Sequence, residues 1–531
     1  MKKLLLTVSA LALATAAHGA NSTSTVTQSG GAQNATVAQT GSQRGGASTI
    51  TQSGSTNTAS VTQSDDNTGN PAPANRSTVT QSNTGNTATV NQRQESSFNN
   101  PPFTVNVSTV NQTGGANAAN VTQNDDGQVS NVQQISSGNS ANVNQGTANS
   151  GDTTFENNSL VTQAGSGSHT ATIEQQGNTN GTGGRNTSVV DQQGSSNDAF
   201  VEQRGTNADA FITQTGVNQT GQVLQRIGNN NRADIIQQST NTQPFNSTGS
   251  PPIAGAYTEQ DGDNNTAYTL QTGSSGNSYA GIDQQGNNNF GKIEQSSADG
   301  DVRAFQTGDR NTAQLKQETA VGGSVQLVTQ TGNDNYTFFS QAPSAAASVA
   351  LIDQIGNTNK LEGFQNGAAG SDLDSLQNGN NGQAYTWQGG NGGQEIDLVQ
   401  GGSGNEVEIV QGGVASPTLY PPKFASVAAT TGSGNDAIVN QSGSSNIGQI
   451  GQAGSNDDAT LIQAGFSNES RIFQDSLSSG SQVKSEQLGD DNLSLIMQTG
   501  SGHQATLKQS TSNNTSTINQ SGTGNIANVT Q

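Results

Sequence analysis

The sequence predicts an all-β chain, a β-solenoid of stacked strand–turn–strand repeats with two facing parallel sheets and about 20 coils. Three observations carry this expectation. An 11-residue unit recurs through the chain, apolar residues are too few for an ordinary core, and every proline falls in a longer interval between units.

The unit is visible in three heptads: Asn57 to Gln63 (NTASVTQ), Asn86 to Gln92 (NTATVNQ) and Asn525 to Gln531 (NIANVTQ). Each reads N-x-A-x-V-x-Q. Anchored on the Gln, 41 units run from Gln28 to Gln531, with Thr430 standing once in place of Gln. Of the 40 intervals, 25 are 11 residues long. Choosing Gln as anchor fixes its own frequency, so other positions must test the repeat. Two residues before the anchor, 32 of 41 units carry Val, Ile or Leu; two residues after it, 27 of 40 carry Gly. Chance placement in a chain only 28% hydrophobic does not give that.

The strand comes first in each unit. Residues six, four and two before the Gln share its parity, so on a strand they point to one face. That face reads Asn, Ala, Val or Ile, Gln, and is expected to be inward. The expected ladder and core positions include Val26, Gln28, Asn57, Ala59, Val61, Gln63, Asn86, Ala88, Val90 and Gln92. Near the other end they include Val439, Gln441, Ile518, Gln520, Asn525, Ala527, Val529 and Gln531. The other face reads Thr, Ser, Asn, Glu or Lys and suits solvent. A helix would bring an apolar residue round only once in three turns, and Gly, Asn, Thr and β-branched residues oppose it.

The turn follows. Seven strand residues and four turn residues make the 11, and the Gly near the middle of the turn permits φ > 0. Longer intervals are read as loops. All 11 prolines lie in them, and none in a strand window. Proline lacks the N–H a ladder needs. The expected Pro-containing insertions are residues 64–74, 93–105, 238–253 and 412–423, with Pro343 in a shorter interval.

Composition fits a thin core. Hydrophobic residues make up 28% of 531 and aromatics 4%, against about 45–50% apolar in a globular chain. Buried amides are then unavoidable, and an unpaired one costs about 1–3 kcal/mol. Stacked in register, each amide accepts from the coil below and donates to the coil above. Two strands and two turns per coil, with coils about 4.8 Å apart, would give a rod on the order of 100 Å long.

Formal charge is −21 with only 11% charged residues. Such a surface disfavours nucleic acid or an anionic membrane as partner. The absence of Cys rules out disulfides and thiolate metal sites. Residues 1–20 read as a secretory signal peptide: Lys2 and Lys3, an apolar run from Leu4 to Ala17, then small residues. Residues 21–531 read as one repeat domain, beginning almost at once at Val26 and ending on a strand.

The unit resembles the curlin repeat of curli fibre subunits, and the resemblance covers the chain from about Val26 to Gln531, an unusually long member. It implies a secreted structural protein, a functional amyloid fibre subunit of the extracellular biofilm matrix of a Gram-negative bacterium, acting in adhesion and aggregation. It implies end-to-end self-association into fibres, growth with other curli-like subunits or a nucleator, and export through an outer-membrane pore. The chain departs from the family in lacking a separate Gly-rich export segment. Its units between about Gln354 and Gln411 are also degenerate, with Gly363, Ser375 and Thr386 replacing the aliphatic residue and Phe364 and Trp387 beside the Gln.

Little else in the sequence suggests chemistry. His169 and His503 sit in or beside turns and are expected to be solvated. The Asp pairs 65–66, 125–126, 457–458 and 490–491 read as turn-forming, mutually repelling acids rather than calcium ligands. Gly401 to Glu406 is the nearest approach to a calcium β-roll motif. No catalytic residue, cofactor site, metal site or small-molecule substrate is expected, and the chain does not read as an enzyme. Two other readings share the fold. One is a monomeric cell-surface adhesin or spacer. The other is an ice-binding solenoid, suggested by Thr25-Val26-Thr27, Thr49-Ile50-Thr51 and Thr78-Val79-Thr80, though outward Asp191, Glu202, Asp283, Lys316 and Lys508 break that array.

Overall fold

The computed structural model describes residues 13–16, 22–41, 46–65, 75–94, 105–124, 127–146, 156–176, 185–238, 255–272, 278–296, 299–318, 323–342, 345–366, 369–412 and 432–531. Over these residues the chain forms 41 strands and no helix. It divides into two compact units, Met1–Ala267 and Tyr268–Gln531, where the sequence reads as one repeat domain.

In the first unit, consecutive strands do not pair with each other. Ser140–Gln145 pairs in parallel with Thr170–Gln175, which pairs in parallel with Asp198–Gln203. The strands between them do likewise: Val129–Gln134 with Asn158–Gly167, and that with Thr187–Ser195. Strands therefore alternate between two parallel sheets, because a chain winding in coils passes each face in the same direction every time. Register holds like over like. Val143 lies on Ile173 and Ile173 on Val201, with Gln145, Gln175 and Gln203 in the next inward column. A slip of one residue would turn every inward side chain outward.

The second unit repeats the plan. Tyr279–Gln285 pairs with Asp301–Thr307 and Phe290–Gln295 with Thr312–Gln317. At high residue number, Leu493–Ser501 pairs with Thr515–Thr523 and Gln504–Gln509 with Ile526–Thr530.

The core is two inward columns per sheet and the amides beside them. In the first unit one sheet contributes Ala59, Ala88, Ala119, Ala141 and Ala171, and the other Ser48, Ser77, Ser108, Ser130 and Ser159, all buried. The aliphatic column between them, with Val61, Val90, Val143, Val161 and Ile173, has no solvent exposure. Small residues on one column let the two sheets approach, so Val and Ile on the next fill the space between.

Insertions leave this register untouched. Stacked Gln residues are 22 apart in sequence at Gln203 and Gln225 but 35 apart at Gln225 and Gln260. All 11 prolines lie outside the described residues, and no described strand contains one. The insertion boundaries shift slightly: strands Thr58–Asp65 and Thr87–Gln94 run two residues into the segments expected to be loops. Most of the expected loops, and residues 17–20, which end the expected signal peptide, lie outside the described residues. Leu13–Ala16, within the expected signal peptide, forms a strand paired in parallel with Asn34–Gly41.

The unit anchored on Thr430 lies outside the described residues; on either side of it Glu395–Ser403 pairs with Asp436–Ser444 and Glu406–Gln411 with Ile447–Gln452. Two expectations are corrected. The strand is shorter than seven residues in many units. Thr170–Gln175 and Thr312–Gln317 have 6 residues, and the first residue of the heptad, His169 or Asn311, falls at the corner before them. Finally, some turns hold two left-handed residues where one was foreseen. Gly308 and Gly332 have φ of 113° and 112°, and Arg310 and Asp334 follow at 57° and 59°. The glycine has a second cause besides φ, since a Cβ on Gly308 would lie 2.1 Å from the carbonyl oxygen of Gly332 on the next rung.

The degenerate units keep full register, with Gly363 paired to Phe339 and to Thr386. Phe339 is the reason. It is fully buried and the largest such side chain, and a Cβ on Gly363 would lie 2.4 Å from its ring. An oversized residue on one rung is matched by a missing side chain on the next. Gly363→Val therefore lowers stability by about 1–3 kcal/mol through overpacking, and adding Phe339→Leu to it restores most of the loss. Denaturant unfolding of the two variants measures this, and additive losses would contradict the pairing.

Candidate functional site

The feature that dominates the interior is a pair of glutamine columns in each unit. In the first unit one column runs Gln28, Gln52, Gln81, Gln112, Gln134, Gln163, Gln192, Gln214 and Gln237. In every step the Nε2 of the lower-numbered Gln donates to the Oε1 of the next, at 2.6–2.9 Å. The other column runs from Gln39 through Gln63, Gln92, Gln123, Gln145, Gln175, Gln203 and Gln225 to Gln260 in the same sense. The second unit has the same arrangement, for example Gln284 to Gln306 at 2.8 Å and Gln441 to Gln463 at 2.7 Å.

The second hydrogen of each amide does a different job. Gln92 Nε2 donates to the Arg76 carbonyl, 16 residues back, at 3.0 Å, and Gln123 and Gln134 do the same to Val107 and Ala118. That carbonyl belongs to the facing sheet. One amide therefore ties its own sheet vertically through a side-chain ladder and crosses to the other sheet horizontally. Neither Asn, one methylene shorter, nor Glu, which has no donor, reproduces both bonds. This accounts for Gln at one fixed place in the repeat.

Asparagine forms a ladder of another kind. Its Oδ1 accepts the backbone N–H of the next corner residue: Asn86 N–H to Asn57 and Asn117 N–H to Asn86, both at 3.0 Å. Its Nδ2 closes the turn, as Asn57 does to the Ser53 and Asn83 carbonyls at 2.8 and 2.9 Å. The corner would otherwise leave a buried backbone N–H unpaired.

The histidines overturn the expectation of solvated turn residues. His169 and His503 are fully buried and occupy asparagine positions in this ladder. The Nδ1 of His169 accepts the Asn197 N–H at 3.4 Å and its Nε2 donates to the Ala164 carbonyl at 2.8 Å. His503 pairs in the same way with Asn525 N–H and the Thr499 carbonyl. A neutral imidazole thus supplies the acceptor and donor of an Asn side chain. Burial holds the His169 pKa below its usual value, against backbone hydrogen bonds to Ala164 and Gly194 that raise it. Asp457, read as a turn-forming acid, is likewise buried at a corner position. Its neighbour Asp458 opens the strand Asp458–Phe466 and faces outward, exposed. Sequence reading missed all three because it judged them by residue type; alignment to the unit places each six residues before a Gln.

Of the predicted ladder and core residues, Asn57, Ala59, Val61, Gln63, Asn86, Ala88, Val90, Gln92, Val439, Gln441, Ile518 and Gln520 lie in the buried columns. Val26, Gln28, Ala527 and Val529 are half-buried, and Asn525 and Gln531 are exposed. The outer faces are lined by ion pairs between residues two apart on a strand, such as Lys292–Glu294 at 2.7 Å and Arg303–Asp301 at 2.8 Å. The degenerate rungs carry an outward aromatic cluster, with Phe364 at 5.5 Å from both Phe338 and Trp387. Among the described residues, no three His, Asp or Glu side chains come together as a metal site.

Residues 182–205 match the family model of the curlin associated repeat. That span holds the strands Thr187–Ser195 and Asp198–Gln203 and the turn between them, one coil of the stack. No curated protein matches the chain.

Replacing Gln145 by Ala leaves the Oε1 of Gln175 without its donor only on one side, but it strips Gln123 Nε2 of its acceptor and the Val129 carbonyl of its cross-sheet bond. The expected loss is about 2–5 kcal/mol, against less than about 0.5 kcal/mol for the exposed Asn142→Ala; urea midpoints of the two variants compare them. His169 has a folded pKa below the ordinary 6.5. Its contribution is therefore present above pH 6.5 and lost as pH falls through the folded value. His169→Asn keeps the ladder bonds without titrating, so its urea midpoint falls less than that of the natural chain between pH 7 and pH 5.

Proposed function

We propose that this curlin-repeat protein is a secreted, non-enzymatic structural protein, a curli-like fibre subunit of an extracellular matrix that acts in adhesion and aggregation. The reading rests on one observation above the others: like residues stack on like through both units, with Gln amides bonded rung to rung. A ladder of identical side chains satisfies its own polar groups only when a further copy of the same rung lies above it, which is the logic of cross-β assembly. The match of residues 182–205 to the curlin associated repeat supports the same class, since that family is associated with extracellular curli fibres.

In this reading the chain leaves the cell unfolded behind the signal peptide of residues 1–20, passes an outer-membrane pore and assembles with further copies, curli-like subunits or a nucleator. The lack of Cys suits such a route, because a translocating chain forms no premature cross-links.

A second reading is favoured by a specific feature. Within each unit the Gln columns are completed by one chain, so the rungs need no partner to satisfy their amides. A monomeric surface adhesin or spacer follows from that. The two are separated by incubating the purified mature chain. The fibre reading expects thioflavin-T-positive filaments with reflections near 4.8 Å and 10 Å; a monodisperse soluble rod over the same days would establish the spacer instead.

A further inference from the structure

Asp457 stands where the ladder requires a donor that a carboxylate lacks. It is fully buried, at the corner before the strand Asp458–Phe466, in the column Asn435, Asp457, Ser481, His503, Asn525. One half of its side chain behaves as Asn does. Oδ1 accepts the Ser481 N–H at 2.9 Å and the Ser478 hydroxyl at 3.0 Å. The other half does not. Oδ2 is buried with no hydrogen-bond partner.

The neighbouring corners show what belongs there. Asn435 Nδ2 donates to the Gly454 carbonyl on the next rung at 2.9 Å. Asn468 Nδ2 donates to the Ala464 carbonyl four residues back and to Gly489 on the next rung, at 3.2 and 2.7 Å. Moved to Asp457, those acceptors are the carbonyls of Ala453 and Ser478. Indeed Asp457 Oδ2 and the Ser478 carbonyl oxygen lie 2.3 and 2.1 Å from the point a Gly454 Cβ would occupy. An ionised Oδ2 sets negative charge against carbonyl oxygen in a dry corner. A protonated one supplies the missing donor.

We propose that Asp457 is a buried proton-binding site: the folded rungs take up a proton, and the neutral acid, with Oδ2–H donating to a turn carbonyl, acts as the isostere of the ladder asparagine. Burial is the main force pushing this carboxyl up, to about 6, with Asp458 and Asp475 adding to it and the Ser481 and Ser478 bonds opposing it. His503, two places along the same column, is the remaining titratable group on it. The sign follows. The folded value lies above the ordinary 3.8, so the site's contribution is complete below pH 3.8 and is lost as pH rises through about 6. Mild acid therefore tightens these rungs, in the opposite sense to His169, which mild acid loosens.

The test uses the full mature chain and Asp457→Asn, with unfolding in urea at pH 8 and pH 5. Asp457→Asn is expected to be the more stable at pH 8. From pH 8 to pH 5 the folding equilibrium constant of the natural chain is expected to gain about 10-fold relative to the variant. Parallel pH dependence of the two, or a variant less stable at pH 8, would overturn the proposal. Infrared spectra of the folded chain at pH 5 are expected to show a protonated-carboxyl C=O band that Asp457→Asn lacks, and identical spectra would count against it. Stabilisation of the natural chain by calcium or sodium at pH 8, lost in Asp457→Asn, would mean that Oδ2 holds a cation instead, and would also overturn it.

Discussion

The constraint on which everything else rests is that a buried Gln must find both a donor and an acceptor, and its side-chain ladder closes only with another Gln at the same height. With so few apolar side chains, hydrophobic burial alone does not hold the sheets together. Each inward amide replaces part of that missing burial with three hydrogen bonds: accepted from below, donated above, and donated across to the facing sheet, as at Gln134. The bonds are worth little individually against water, about 1 kcal/mol each, but leaving one unmade costs more than making it gains. That asymmetry fixes register more sharply than the Ala and Val columns do. An aliphatic column tolerates Val under Ile, Phe beside Gly, or Ser in place of either.

From this follows the division of labour along the unit. The inward columns vary little, the outward positions vary freely, and the intervals between strands absorb insertions of any length. Gln400 and Gln441 are 41 residues apart and still bonded at 2.9 Å. Loop closure grows only slowly with loop length, whereas one misplaced rung would strand two amides. Some outward charges pair with the opposite sign, as Lys292 with Glu294 and Arg303 with Asp301, whereas Asp374 stands near Asp397 and Asp353, whose charges add to burial in raising its pKa.

Much of this was legible in the sequence because the repeat has few degrees of freedom. Parity alone puts Asn57, Ala59, Val61 and Gln63 on one face, and no described strand contains a proline. What was not legible depends on neighbours in the third dimension. Gly363 looks like a defect until Phe339 is seen beneath it. His169 and Asp457 look like turn residues because their type suggests it, yet the corner they occupy asks only for an acceptor toward the next rung and a donor toward the turn. The distinct roles of Gln and Asn were also hidden, since both are amides and only geometry shows one bonding side chain to side chain and the other side chain to backbone.

The Gln columns have a direction. In each unit every amide donates toward higher residue number, so the bond dipoles add rather than cancel, and each bond polarises the next. A rung joining in the same sense, acceptor over donor, continues the column. A reversed rung sets donor against donor and breaks both columns at once. The same sense recurs at asparagine corners such as Asn57, Asn86 and Asn117, whose oxygens face the next backbone N–H. Stacking is thereby polar as well as in register, and its sense is written into which atom of each amide faces the next rung. The corner residues are where that sense is open to conditions, because His169 and Asp457 keep it only in one protonation state each, whereas Gln and Asn keep it at any pH.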